Sequence, residues 1–69
     1  MIKAVRINGK DEAVRAATVA ELLRERGVLE AGRGVAVAVN HAVVPRGEWA
    51  STPVAPGDRV EIIRPIFGG

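Results

Sequence analysis

The chain has 69 residues, 10 Lys and Arg against 8 Asp and Glu, a single His and no Cys. That length allows one domain near the lower limit for a self-sufficient core, and without cysteine neither a disulfide nor a thiolate metal site can brace it. The net charge of +2 is small, and the basic residues are spread rather than clustered on one face or interleaved with aromatics, which argues against nucleic-acid binding. Met1-Ile2-Lys3 opens straight into a strand-like pattern. With no signal peptide, targeting stretch or membrane-spanning run in the sequence, a cytoplasmic protein with no membrane partner is expected.

Residues 3–7 alternate as a strand, with Val5 and Ile7 on one face and Ala4 and Arg6 on the other. Asn8-Gly9 is a strong hairpin signal because both residues tolerate positive φ. Residues 11–16 then return as a polar second strand with Val14 as its one large apolar residue. Thr18 opens a helix as one half of a capping box: its hydroxyl can take the Glu21 N–H, and the Glu21 side chain can reach back to the Thr18 N–H. Val19, Leu22, Leu23 and the stem of Arg26 form the apolar stripe, and Gly27 supplies the left-handed stop. About two and a half turns long, such a helix must dock on a sheet to persist.

The run Val35-Ala36-Val37-Ala38-Val39 reads as a central strand buried on both faces. Asn40-His41 marks a turn, Val43-Val44 a short strand ended by Pro45, and residues 46–49 a turn too short for a helix, with Trp49 folded against the core. Pro56-Gly57-Asp58 is a further turn, and residues 60–64 form the last strand. The order β-β-α-β-β-β, with the last strand beside the first, predicts an α+β domain. Its architecture is the β-grasp, or ubiquitin-like, roll: a mixed sheet of four to five strands with one main helix on one face. Residues 1–64 are expected to make up this domain and residues 65–69 a flexible C-terminal tail ending in Gly68-Gly69.

Val39-Asn40, then Val44-Pro45-Arg46, Trp49, the turn Pro56-Gly57-Asp58 and the closing Gly68-Gly69 together carry a resemblance over the whole chain. On these residues the chain resembles the sulfur carrier proteins of thiamine (thiazole) biosynthesis, the ThiS family. The Asn40 to Trp49 stretch and the diglycine are the specific parts; the Gly57-Asp58 turn recurs more widely among small ubiquitin-like proteins. The resemblance implies a carrier that is not itself an enzyme, with no bound cofactor. An E1-like adenylating enzyme would consume ATP to activate the carboxylate of Gly69, and sulfur from a cysteine desulfurase persulfide donor would convert it to a thiocarboxylate. A thiazole synthase would then take that sulfur into the thiazole ring. Gly68 would give clearance in a narrow channel, while Phe67 and Ile66 would bind the partner, unless Ile66 simply finishes the last strand. Extended, residues 65–69 would reach about 16 Å at roughly 3.3 Å each.

This chemistry asks for no general base on the carrier, so the lack of a Ser/His/Asp or Cys/His set is no obstacle. The remaining candidates read more plainly as structure. His41 has no second ligand at metal spacing, and no metal site is expected. Asp11 and Glu12 are adjacent in a strand and point to opposite faces, which separates them for acid–base work. Gly32-Arg33-Gly34 lacks the Lys-Ser/Thr of a phosphate loop and reads as a connector. Asn40 can hold its own turn, Arg46 can contact a partner, and Arg59 and Arg64 can form a basic collar by the tail or a solvated strand face. Three alternatives share the fold: a carrier of the molybdopterin synthase type, a ubiquitin-like modifier joined to lysines through Gly69, and an interaction or RNA-binding module needing no free diglycine.

Overall fold

A computed structural model of the chain describes residues 2–28 and 34–64. The elements are β1 (Lys3–Ile7), β2 (Lys10–Val14), α1 (Val19–Glu25), β3 (Ala36–Val39), β4 (Ala42–Val44), a 3-10 helix (Arg46–Ser51) and β5 (Arg59–Ile63). The five strands make one sheet in the order β2-β1-β5-β3-β4. β5 therefore lies between two hairpins, parallel to β1 and antiparallel to β3. This is the expected β-grasp α+β architecture.

The alternation of side chains along the strands decides which face of the sheet is covered. Val5, Ile7, Val37, Val60 and Ile62 point inward and are buried with Val19, Leu22 and Leu23 of α1. Burying each such side chain is worth about 1.5–3 kcal/mol. The helix is seven residues long, shorter than expected, and is closed at both ends by side chains and turns. Thr18 Oγ1 accepts the Glu21 N–H at 3.2 Å. The Glu21 carboxylate reaches one residue further than expected, to the N–H of Ala17 at 3.2 Å. At the other end Gly27 takes φ +71, its N–H donates to the Arg24 carbonyl, and Val28 N–H donates to that of Leu23. These two bonds make a Schellman motif, and the buried Val28 sits where the motif places its hydrophobic contact.

Several expectations need correction. β2 ends at Val14, so Ala16 is buried outside the strand, and the two residues read as its end belong to the turn into the helix. Residues 46–49, expected as a turn too short for a helix, belong to a 3-10 helix that runs to Ser51. Its side chain Trp49 is buried as expected, and Nε1–H donates to the Val44 carbonyl at 2.9 Å, satisfying the indole inside the core. β3 is not buried on both faces: Val37 is covered, Ala36 is exposed, and Ala38 and Val39 are half-buried. Arg26 does not extend the apolar stripe; it caps the helix and pairs with Glu12.

Candidate functional site at the end of the last strand

Ile66, Phe67, Gly68 and Gly69, the residues on which the sequence reading places the chemistry and the partner contact, lie outside the described residues. What the structure describes is the base from which they follow: β5, Ile63 and Arg64. β5 is the central strand, and both hairpins hold it through the first residue of their turns. Asn8 and Asn40 each have φ 51, followed by Gly9 at φ 84 and His41 at φ 70. Two successive positive φ values in two-residue loops are the mark of type I′ turns, whose twist matches that of the strands.

Each asparagine then reaches across to β5. Asn40 N–H donates to the Arg59 carbonyl at 2.7 Å, its Oδ1 accepts the Arg59 N–H at 2.9 Å, and its Nδ2 donates to Asp58 Oδ1 at 3.1 Å. The expected role for Asn40, bonding its own backbone, is thus replaced by a tie to the turn before β5. Asp58 Oδ2 in turn accepts the Ala55 N–H at 2.8 Å, which closes that turn. At the other end of β5, Asn8 Oδ1 accepts the Ile62 N–H at 2.8 Å and Nδ2 donates to the Ile62 carbonyl at 3.2 Å. The strand leading to residues 65–69 is therefore held at both ends by carboxamides.

Among the described residues no element covers the sheet face opposite α1. On β5 it shows Arg59, Glu61 and Ile63 in turn, and Ile63 is 64% exposed. The register sets Ala36 beside Ile63, Ala38 beside Glu61, and Val43, 76% exposed, beside Ala38. Ile63, Ala36, Ala38 and Val43 thus form an apolar strip that leads to Arg64. The sequence reading missed this strip, although the period-2 alternation of β5 carries its signal: Val60 and Ile62 face the core, so Ile63 cannot.

The other candidates fall apart as a site. Asp11 and Glu12 do point to opposite faces. Asp11 accepts from Arg6 Nε at 3.2 Å, whereas Glu12 takes both arms of the Arg26 guanidinium, at 2.8 and 3.2 Å. That hydrogen-bonded guanidinium holds the Glu12 carboxyl below its ordinary pKa. His41 is exposed in its turn, and no group of three or more His, Cys, Asp or Glu is arranged to hold a metal among the described residues. Arg46 lies over the Trp49 ring, 5.5 Å from its centroid, in cation–π contact. Arg59 and Arg64 form no collar: they sit at opposite ends of β5, about 16 Å apart at 3.3 Å per residue. Arg59 instead neighbours Arg6, its register partner on β1, across a shallow depression that also touches Ala4, Asp11 and Gly57. No helix among the described residues is long and apolar enough to cross a membrane.

Comparison with known proteins decides the family, because the ThiS family model matches residues 3–69. The chain belongs to the ThiS family. It is 39% identical over 62 residues to the sulfur carrier protein ThiS of Escherichia coli (strain K12), covering 86% of this chain and 91% of that protein. The thiamine biosynthesis protein ThiS of Geobacter metallireducens is similar in both its crystal and its solution structure. Their TM-scores are 0.72 and 0.78, at 32% and 35% identity, over 96% of this chain and 99% and 87% of theirs. A chain in the complex of subunits 1 and 2 of molybdopterin-converting factor from Helicobacter pylori 26695 is more distant. Its TM-score is 0.55 at 26% identity, with full coverage of both chains. The likeness to the Geobacter metallireducens structures over 96% of this chain takes in both the sheet and the helix on its one face.

Proposed function

We propose that this chain is a sulfur carrier of thiamine biosynthesis: a protein co-substrate, not an enzyme, whose reactive group is the carboxylate of Gly69. The observation that carries this reading is the likeness to the Escherichia coli sulfur carrier over 91% of that protein, joined to a family match that extends to residue 69. A carboxylate is a poor electrophile. An E1-like enzyme makes it a good one by joining it to the AMP part of ATP, with pyrophosphate leaving. The terminal sulfur of a persulfide, drawn from a cysteine desulfurase, then attacks the acyl carbon and AMP departs. A thiol cleaves the resulting acyl disulfide and leaves a thiocarboxylate, which a thiazole synthase consumes.

The folded residues contribute position. Neither nucleophile nor base is needed from them, since both the activating group and the sulfur come from partners. Residues 65–69 form a tail of about 16 Å when extended, long enough to reach into a partner while β5 stays outside. Gly68 leaves space beside the reacting carbonyl, and Phe67 and Ile66 contact the partner. The apolar strip of Ile63, Ala36, Ala38 and Val43 lies directly before the tail, so an activating enzyme that takes up the tail meets this strip first.

The test is the intact mass of the chain after incubation with ATP, a ThiS-activating enzyme and a persulfide source. Exchange of one oxygen for one sulfur, mapped to Gly69 and abolished by one alanine appended after it, is the expected result. An unchanged mass, with the same enzyme active on its own carrier, would remove the reading. The similarity to the molybdopterin-converting factor chain supports a second reading with the same end group and a different acceptor. Sulfur transfer from the loaded chain to a molybdopterin precursor, but not to a thiazole synthase, would select it.

A further inference from the structure

The β1–β2 hairpin turns away from β5 before β5 ends. Ile7 is the last β1 residue in register, opposite Val60, and Asn8 N–H donates to the Val60 carbonyl at 2.9 Å. In a continued parallel ladder, the Asn8 carbonyl would accept from Ile62 N–H, and the next N–H of β1 would donate to the Ile62 carbonyl. Neither backbone group is there, because the chain has entered its turn. The Asn8 side chain supplies both, Oδ1 for the acceptor and Nδ2 for the donor. One carboxamide thus adds a further rung to the ladder, on the last inward-facing residue of β5. Without it, both polar groups of Ile62 on the β1 side lose their partner among the described residues.

We infer that Asn8 is a positioning residue for the reaction of the chain's end: by pinning Ile62 on the β1 side it completes the hold that β3 has on Ile62 and Ile63, and so sets the point from which residues 64–69 depart toward a partner. The inference rests on the carrier reading. Without Asn8 the end of β5 is held by β3 alone; a strand end paired on one side frays more readily, and each residue that must be reordered when the tail is taken up costs roughly tenfold in affinity. The loss therefore falls on KM for the carrier. The activating enzyme's kcat is unaltered, because the atoms at Gly69 are unchanged.

Glycine at position 8 separates the amide from the turn, since it accepts the same positive φ without strain. In Asn8→Gly, the Ile62 amide is expected to exchange with solvent at least tenfold faster by NMR, while the backbone amides of Arg6 and of position 8, bonded to the Asp58 and Val60 carbonyls, keep their protection. The KM of the activating enzyme for this carrier rises about tenfold. Asn8→Asp keeps the acceptor and loses the donor, and falls between the two. Asn40→Gly is the matched control: it frees the far end of β5, destabilises the fold comparably, and leaves KM alone. Unchanged Ile62 exchange in Asn8→Gly overturns the inference. So does an unchanged KM, or an equal rise in Asn40→Gly, which would trace the effect to stability alone. A wild-type chain that never gains sulfur removes the carrier reading and the inference with it, whereas a wild-type chain that gains sulfur with the KM of Asn8→Gly removes the inference only.

Discussion

The two hairpins flanking β5 solve one problem by different means. Each opens its turn with an asparagine at φ 51, and each uses that asparagine to hold β5. Because β1 runs parallel to β5 and β3 antiparallel, the first turn meets the strand near its end and the second near its start. Asn8 spends its whole amide on one main-chain residue, Ile62, whereas Asn40 divides its amide between the Arg59 backbone and the Asp58 carboxylate. The supports beneath them differ too. The β3–β4 hairpin rests on buried Trp49, while β2 is joined to the helix by the exposed Glu12–Arg26 pair. A hairpin's tip residue can thus serve the turn and a third strand at once, provided strand direction brings the tip to that strand.

The largest effect expected from breaking this comparison is on the aromatic support. Trp49→Ala should cost about 3–5 kcal/mol, read as a lower urea midpoint, with amide protection in β3 and β4 lost before that in β1 and β2. Trp49→Phe should cost about 1–3 kcal/mol, because the Val44 carbonyl loses its buried donor. Equal loss of protection in both hairpins would show that Trp49 supports the whole sheet and not one side of it.

The turns themselves can be exchanged. A Cβ built on Gly9 meets nothing within 4 Å, so Gly9→Ala should be destabilising for its left-handed backbone alone, by about 1–2 kcal/mol. His41 already occupies such a conformation, at φ 70. His41→Gly should therefore stabilise the chain by about 0.5–1 kcal/mol, the relieved strain less the entropy of glycine. Matching denaturation curves for His41→Gly and wild type would mean that His41 recovers its strain through contacts.

The smallest effect is electrostatic and lies in the tie between the first hairpin and the helix. Glu12 titrates below its ordinary value in the folded chain because Arg26 is hydrogen-bonded to its carboxylate. Its contribution is therefore complete above the unfolded pKa, about 4.3, and is lost as the pH falls through the lower folded value. Glu12→Gln should lower the urea midpoint slightly at pH 7, and the difference from wild type should close in acid. A difference that stays constant through that range would assign the effect to packing of the side chain.

Much of this was legible along the chain. Period-2 alternation identified the inward residues of β1, Thr18 and Gly27 marked the two ends of the helix, and Asn8-Gly9 marked the first turn, because each depends on neighbours within a few residues. The Asn40 to Trp49 stretch and the diglycine pointed to the family for the same reason: a motif is local order in the sequence. The 3-10 helix was missed because its stability comes from Trp49 inserting into a core formed by distant strands.

Tertiary structure alone decided the rest. Asn8 and Ile62 are 54 positions apart, and no local pattern shows that a turn residue will complete another strand's ladder. The same holds for the tie between Asn40 and Asp58, and for the open apolar strip, which needs the strand order to bring Val43, Ala38, Ala36 and Ile63 together. Backbone conformation and burial periodicity are properties of short segments. Which hydrogen-bonding groups remain for β5 to use depends on which strands lie beside it and in which direction they run.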